Sequence, residues 1–224
     1  MQKRILITTF FILFFSLPAY SIDKNTLFWK VRELVAGYAD EIPLTDKSGK
    51  VYKVVNGKQL AFFYSVYLAI QEAAELQAEF YVVDDKDPNA FATLDEDGAY
   101  MIAFTFGMLD MIGMDKDEAA AIIGHELAHL KLEHYKEREE AEKKNQNNTM
   151  FSAAATKYTR DNERESDYLG AIWAVEAGYD PEGAVRVQEK LYKLSKRHIG
   201  FSGSHPLSIE RVTVLKSLAR RLKK

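Results

Sequence analysis

The chain of 224 residues has no cysteine, only five prolines and little net charge. Without cysteine it can form no disulfide, thiolate zinc site, cysteine nucleophile, iron–sulfur cluster or lipidated N-terminal cysteine. Its 30 basic and 33 acidic residues leave a net charge of −3, which gives no general attraction to nucleic acid, so no nucleic-acid partner is expected. Hydrophobic residues make up 47% of the chain, which is enough for the buried core of one domain.

Residues 1–21 differ in pattern from the rest of the chain. Two basic residues precede an apolar stretch at residues 5–17, and small residues follow up to Ser21. This order is typical of a secretory signal peptide and predicts cleavage after Ser21. The alternative is a retained membrane anchor, but the apolar stretch is shorter than the about 20 residues that a spanning helix needs. We therefore expect residues 22–224 to form a single domain outside the cytoplasm, in a bacterial periplasm, with secretion as the alternative.

Beyond residue 21 the sequence pattern is mainly helical. Apolar residues recur at three- and four-residue spacing, which predicts helices over residues 27–35, 59–79, 106–112, 115–144, 150–177 and 181–197 and in a basic segment after residue 206. Extended segments separated by short turns predict a small three-stranded sheet from residues 80–84, 89–94 and 100–105. A turn or short hairpin is expected around residues 51–55. The expected fold class is therefore α+β, mainly α, without an internal repeat.

The helix predicted at residues 115–144 carries the pattern His125-Glu126-Leu127-Ala128-His129. The two histidines are four residues apart, so their β-carbons lie about 5–6 Å from each other and both imidazoles can reach one cation. Glu126 lies about 100° around the helix from His125, where it can reach a metal-bound water rather than the metal. The alternative interpretation is a chance pattern on a charged helix. Apolar neighbours argue against it, because two buried imidazoles without partners would cost stability.

A catalytic zinc site needs a third protein ligand and an open position. His134 lies further along the same helix, which cannot easily point three residues at one ion, so we interpret it as a surface residue or one behind the ligands. On the next helix Glu163 and Asp167 are four residues apart and share a face. One of them can bind the metal while the other accepts the remaining N–H of a ligand histidine. Glu165 points elsewhere and is interpreted as a solvated partner of a neighbouring arginine.

His205 precedes a proline in a loop of glycine and serine residues. Its backbone is therefore biased toward an extended conformation that would present the ring to a cleft. There His205 would donate a hydrogen bond to a developing oxyanion, or occupy the open metal position when substrate is absent. The alternative is a loop histidine whose partners are backbone groups. Arg211, on the helix that follows, is interpreted as an ion-pair partner of residues near Glu210 or of the Glu163 helix.

Together these motifs resemble the gluzincin metalloendopeptidases of peptidase family forty-eight, which include prenyl-protein-processing and HtpX-like proteases. The resemblance covers about residues 84–211. It is carried by His125-Glu126-Leu127-Ala128-His129 after Gly124, by Glu163 to Asp167 with Gly170, by His205-Pro206 with Arg211, and by Asn89-Ala90-Phe91-Ala92. No transmembrane helices are predicted to flank the catalytic segment, so the chain looks most like the soluble extracytoplasmic branch of the family.

The resemblance implies a zincin-like domain that holds one zinc ion per chain through three ligands, His125, His129 and Glu163. It further implies that Glu126 is the general base and that Asp167 orients a ligand histidine. His205 and Arg211 would face the cleft, with His205 contributing to catalysis.

The expected activity is zinc-dependent hydrolysis of peptide bonds in unfolded or misassembled extracytoplasmic proteins. The polypeptide substrate would pair with an edge strand, either residues 89–94 or residues 100–105. Two alternatives belong to other classes of protein. One is a non-catalytic, chaperone-like protein that contains zinc. The other is a membrane-associated binding protein that retains its N-terminal segment and contacts anionic lipid through basic residues 220–224. The pattern leaves the oligomeric state open.

Overall fold

The computed structural model of the chain describes residues 28–45, 50–95, 97–137, 159–197, 205 and 208–223. Within these ranges the protein is mainly helical, with a small mixed sheet, as the sequence predicts for its class. The predicted signal peptide and the predicted helical residues 138–144 and 150–158 lie outside the described residues. In the described part, no helix combines the length and the apolar character that crossing a membrane requires.

Among the described residues, four strands form one sheet, and two further strands form a separate antiparallel hairpin. The strands in chain order are β1 Phe28–Lys30, β2 Glu41–Thr45, β3 Val51–Asn56, β4 Glu79–Val83, β5 Ala90–Leu94 and β6 Tyr100–Thr105. The sheet order is β1-β4-β6-β5, in which β4 and β6 run parallel and the two outer pairs antiparallel. Strands β2 and β3 are the hairpin expected around residues 51–55.

Strand β1 was not predicted, and the expectation of a three-stranded sheet is therefore wrong. Residues 28–30 belong to the segment predicted as a helix, yet the helix comprises only Val31–Val35. Trp29 in β1 is 3% exposed and its ring lies 6.0 Å from that of Phe106. Backbone pairing with β4 and burial of this indole outweigh the local helical pattern, because strand formation depends on tertiary context.

The position of β6 corrects a second expectation. Residues 100–105 were a candidate edge for substrate, but β6 pairs with β4 on one side and with β5 on the other. The central place of β6 follows from its composition, because all of its residues after Tyr100 are buried. Strand β5 is the outermost strand on that side of the sheet.

The helices in chain order are α1 Val31–Val35, α2 Gly57–Ala74, α3 Phe106–Ile112, α4 Lys116–Lys131, α5 Arg160–Glu176, α6 Glu182–Arg197 and α7 Ile209–Leu222. Helix α4 lies at the centre, in contact with α2, α5, α6 and the sheet. All its residues from Glu118 to Leu130 are buried. A helix covered on every side fixes its side chains firmly, and this one carries both histidines of the HExxH pattern.

The predicted helices at residues 115–144 and 150–177 are longer than the observed ones. Helix α4 ends at Lys131 because Glu133 adopts a left-handed backbone with φ of 58°, and residues 134–137 are helical again after this turn. Helix α5 begins at Arg160 because Thr159 forms a capping box with Asn162. Neither boundary has a glycine or a proline, so both were missed.

Two glycines set the distance between α4 and α5. A Cβ atom on Gly124 would lie 2.7 Å from the carbonyl oxygen of Gly170, and one on Gly170 would lie 2.6 Å from the backbone of Gly124. The two backbones are therefore in direct contact at this crossing. His125 directly follows Gly124, and Asp167 and Glu163 precede Gly170 by about one and two helical turns. The crossing thus brings both carboxylates beside the histidines.

We expect Gly124→Ala and Gly170→Ala each to destabilise the protein. Alanine normally stabilises a helix by about 1 kcal/mol relative to glycine, but here the added methyl group would push the helices apart, and overpacking typically costs about 1–3 kcal/mol. Chemical denaturation measures the free energy of unfolding. Tyr168→Ala, at a position of α5 that is 52% exposed, is the matched control and should change it little. Stabilisation by either glycine substitution would contradict the proposed contact.

Candidate active site

Four side chains from three parts of the chain meet beside α4. They are His125 and His129 of α4, Glu163 of α5 and His205 ahead of α7, and one ligand atom of each lies within 4.8 Å of all the others. The Nε2 atoms of His125 and His129 are 3.1 Å apart, and carboxylate oxygens of Glu163 lie 3.6 and 3.5 Å from them. Nδ1 of His205 lies 3.3 Å from Nε2 of His125 and 2.7 Å from Oε1 of Glu163. We call this group the histidine–glutamate cluster.

Asp167 and Arg211 lie directly behind the histidine–glutamate cluster. Oδ1 of Asp167 is 3.0 Å from Nδ1 of His125, the ring nitrogen that points away from the cluster. Arg211 donates hydrogen bonds from Nε and Nη2 to the Asp167 carboxylate, at 2.9 and 2.7 Å, and its Nη1 contacts Glu163. Arg211 is therefore an ion-pair partner of the Glu163 helix, one of the two interpretations that its sequence position allowed. It also lines the cleft in front of the cluster.

His134 is not a surface residue. Its exposed fraction is 3%, and its Nδ1 lies 3.0 Å from Nδ1 of His129. The backbone turn at Glu133 brings the ring back between α4 and α5, so the structure supports the other interpretation, a residue behind the cluster. Nε2 of His134 lies 3.3 Å from Oε2 of Glu165. Glu165 is solvated, with a side chain 63% exposed, but its partner in the structure is His134 and not the expected arginine.

Glu126 lies on the cleft side of the cluster and is 1% exposed. Its Oε1 is 3.3 Å from Nε2 of His205, while its buried Oε2 has no hydrogen-bond partner among the described residues. A buried carboxylate oxygen without a partner costs free energy. A water molecule in front of the cluster would satisfy it, and Glu126 is then placed to exchange a proton with that water.

Burial and the neighbouring charges set the protonation states. Burial lowers the pKa of His129 to about 3, so its ring is neutral, as a metal ligand must be. Burial also opposes the charge on His205, but the carboxylates of Glu163 and Glu126 prevail and raise its pKa to about 10. Burial is the largest single influence on Glu163 and Glu126 and raises the pKa of each carboxyl, but His205 and the neighbouring histidines, with Arg211 at Glu163, together outweigh it. The pKa of Glu126 is therefore lowered, and that of Glu163 lies well below its usual range.

The donor set of the histidine–glutamate cluster fits a zinc ion. Two imidazole nitrogens and a carboxylate are ligands that zinc takes in catalytic sites. Tetrahedral ligands at about 2.0–2.1 Å from zinc lie about 3.3 Å from one another, and the separations quoted above, which do not include that between His129 and His205, range from 2.7 to 3.6 Å. Nε2 of both α4 histidines faces the cluster, while Nδ1 of each has a partner outside it.

A cleft opens in front of the cluster between α3, α4 and α6. Its apolar walls include Met108, Ile122 and Leu191, and Gln188 also lines it. Gln188 is 3% exposed, and its Nε2 has no hydrogen-bond partner among the described residues. Sequence reasoning did not assign the apolar wall residues to a cleft, because their spacing is the same as that of residues in the core, and Gln188 belongs to no motif.

The sequence matches Peptidase family M48 over residues 64–155 and 145–219, which together are more than half of the chain. The protein therefore belongs to this family of zinc-dependent metalloproteases.

The relatives include two kinds of protease. A "Protease HtpX homolog" of Desulfatibacillum aliphaticivorans is 34% identical over 97 residues, which are 42% of this chain and 29% of that protein. The "Mitochondrial metalloendopeptidase OMA1" of Schizosaccharomyces pombe is 26% identical over 166 residues, covering 65% of this chain and 48% of its own. The protein of the same name from Arabidopsis thaliana is 30% identical over 158 residues, which are 61% of this chain and 30% of that protein. This chain thus spans less than half the length of these relatives.

Three cluster substitutions, His125→Ala, His129→Ala and Glu163→Ala, should each weaken zinc binding severely, because each removes an atom that could bind the metal. The loss should exceed that of Asp167→Asn, for which about 10–100-fold is expected from removal of a group that only orients a ligand. Competition with a chromogenic chelator measures the affinity. Asp161→Ala, on the exposed side of α5, is the control and should bind zinc like the wild type. Unchanged affinity of Glu163→Ala would exclude Glu163 as a ligand.

The charge of His205 should stabilise the metal-free protein in a pH-dependent way. Its pKa is about 6.5 when unfolded and about 10 when folded, so its contribution is complete below pH 6.5 and is lost as the pH rises through 10. The difference in unfolding free energy between wild type and His205→Asn, measured with chelator present, should therefore shrink across this range. Val214→Ala, which removes no titratable group, should give a constant difference. A difference that grows with pH would contradict the charge assignment.

Proposed function

We propose that the protein is a zinc-dependent endopeptidase that hydrolyses peptide bonds of unfolded or misassembled proteins outside the cytoplasm. The observation that carries the proposal is the position of Glu126, which lines the cleft beside a cluster with a zinc-type donor set and whose buried Oε2 has no hydrogen-bond partner among the described residues. Membership in a metalloprotease family supports the same reaction. We further propose that the domain is a zincin of the gluzincin type, with the HExxH pattern on α4 and the third ligand on α5.

In this proposal His125, His129 and Glu163 hold the zinc ion. Zinc bound there would supply Lewis-acid chemistry, which polarises a peptide carbonyl and makes a neighbouring water more acidic. Glu126 accepts a proton from the attacking water and returns it to the leaving amine. Its lowered pKa keeps the carboxylate ionised and ready to accept. Asp167 holds the ring of His125, and Arg211 holds both carboxylates of α5.

His205 has two candidate roles in the reaction. It could donate a hydrogen bond to the oxyanion that develops on the substrate carbonyl, or it could occupy the fourth metal position and keep the site latent. Its contacts favour the latent state, because Nδ1 lies within the ligand set at 2.7 Å from Glu163. The His205 side chain is 12% exposed, whereas the side chains of the other cluster members are 8% exposed or less. His205 is therefore the outermost member of the cluster. The oxyanion role then requires the ring to withdraw first.

The polypeptide substrate is proposed to extend along β5. This strand is outermost in the sheet on the cleft side and contacts α4. Pairing through the main chain accepts many sequences, which suits a protease that acts on unfolded chains. The apolar walls of the cleft suit the apolar side chains that such chains expose.

The location is proposed from residues 1–21, whose charge and apolar pattern is that of a secretory signal. We place the mature protein in the bacterial periplasm, in the soluble branch of the family, with contacts to membrane proteins arising through its substrates. A permanent metal contact by His205 would instead favour a non-catalytic zinc protein that binds unfolded chains, and this is the second candidate function.

Glu126→Gln should abolish cleavage of casein while zinc binding persists, because the amide can no longer accept a proton. Loss of general acid–base catalysis typically lowers the rate by about 10²–10⁴-fold. Cleavage by the zinc-loaded wild type should also stop when a chelator is added and return with zinc. Glu189→Gln, at a partly exposed position of α6 that pairs with Lys216 of α7, is the matched control and should keep wild-type activity.

Full activity of Glu126→Gln would rule out the proposed general base. If zinc-loaded wild type and His205→Asn both bind casein without cleaving it, the non-catalytic candidate replaces the protease.

A further inference from the structure

The two α4 histidines of the cluster are backed by different chemical groups. Behind His125, the partner of Nδ1 is the carboxylate of Asp167 at 3.0 Å. Behind His129, the partner of Nδ1 is the ring nitrogen Nδ1 of His134, also at 3.0 Å. An ionised carboxylate only accepts hydrogen bonds, so the approach of Asp167 favours the tautomer of His125 with hydrogen on Nδ1. An imidazole can donate or accept, so the tautomer of His129 depends on which nitrogen of His134 carries hydrogen.

The group beside Nε2 of His134 determines which ring nitrogen of His134 carries hydrogen. Its Nε2 lies 3.3 Å from Oε2 of Glu165, a carboxylate oxygen that can only accept. Nε2 of a neutral His134 therefore carries the hydrogen, and Nδ1 has a lone pair. The hydroxyl of Ser166, 3.4 Å from the same Nδ1, can also donate to it. Nδ1 of His134 thus accepts the N–H of His129, which leaves Nε2 of His129 without hydrogen where it faces the cluster.

We propose that His134 is a positioning residue that fixes the tautomer and the ring orientation of His129, with Glu165 setting its direction of donation. The proposal rests on the proposed zinc site. In this arrangement Nδ1–H of His129 donates a hydrogen bond to Nδ1 of His134, and Nε2–H of His134 donates one to the Glu165 carboxylate. Helix α5 thereby supports both histidines of α4, one through Asp167 and the other through Glu165 and His134.

The geometry explains why a histidine stands at this position. The left-handed turn at Glu133 ends α4 and places residue 134 in a buried site between α4 and α5. Both ring nitrogens of His134 lie within hydrogen-bond reach of a polar group, one on each helix. An apolar side chain of similar size would fill the same volume but would lack the nitrogen that accepts from Nδ1 of His129, and loss of such a supporting group typically costs about 10–100-fold in metal affinity.

The first test changes the exposed residue Glu165 so that the hydrogen bonds through His134 to His129 run in the opposite direction. In Glu165→Lys the ammonium can only donate, so it would place hydrogen on Nδ1 of His134 and consequently on Nε2 of His129, the atom that must bind metal. Zinc affinity, measured by chelator competition, should fall about tenfold or more, whereas Glu165→Gln, which can still accept, should stay near wild type. Asp161→Lys makes the same charge change at another exposed position of α5 and is the matched control.

Two substitutions of the buried residue His134 test the same series of hydrogen bonds. His134→Phe should lower zinc affinity about 10–100-fold, and His134→Asn, whose amide oxygen can accept from His129, should recover most of that loss. Circular dichroism confirms that each variant is folded. Equal zinc affinities in folded Glu165→Lys, Asp161→Lys and His134→Phe would overturn the proposal.

A second readout needs neither metal nor activity. In the metal-free protein, long-range ¹⁵N–¹H correlation spectra of the imidazoles should show His129 protonated on Nδ1 in the wild type and on Nε2 in Glu165→Lys. The same tautomer in both would overturn the proposal. Absence of zinc binding in the wild type, by contrast, would contradict the proposed function, while the spectra would still report whether His134 directs the proton of His129.

Discussion

The contact between Gly124 and Gly170 is the constraint on which the site depends. Packed helices usually keep their axes 8–10 Å apart because side chains lie between them. Here the backbones of α4 and α5 touch, since a Cβ atom on either glycine would lie within 3.0 Å of the other helix. The short side chains of Glu163 and Asp167 can therefore reach rings on α4. The histidine–glutamate cluster is a consequence of how closely two helices pack.

The cluster also balances a large amount of buried charge. Carboxylates taken out of water are costly unless they are paired. Arg211, 8% exposed, pairs with Glu163 and Asp167, and the charge of His205 faces Glu163 and Glu126. In the metal-free chain the imidazolium of His205 supplies positive charge at the place where a metal ion would bring its own. This balance keeps the carboxylates ionised despite their burial.

The parts of the site that sequence reasoning could reach are those set by local helix geometry. His125 with His129, and Glu163 with Asp167, are pairs four residues apart, and that spacing alone predicts a shared face. His134 could not be assigned because its place depends on a helix end at Glu133, a left-handed residue that is not glycine. Trp29 follows a helical pattern but lies in a strand, because its state depends on β4. Gln188 has no motif, and only the packing of α6 against α4 brings it to the cleft.

The position of the cluster on the most enclosed helix has a consequence for metal exchange. His129 and Glu163 are fully covered by protein, and His125 is nearly so, whereas the ring of His205 retains some contact with solvent. Among the described residues, His205 is thus the member of the cluster nearest to solvent. We expect the mobility of its ring to influence how quickly an ion is exchanged, whereas the fully buried side chains and their supports act mainly on how tightly an ion is held.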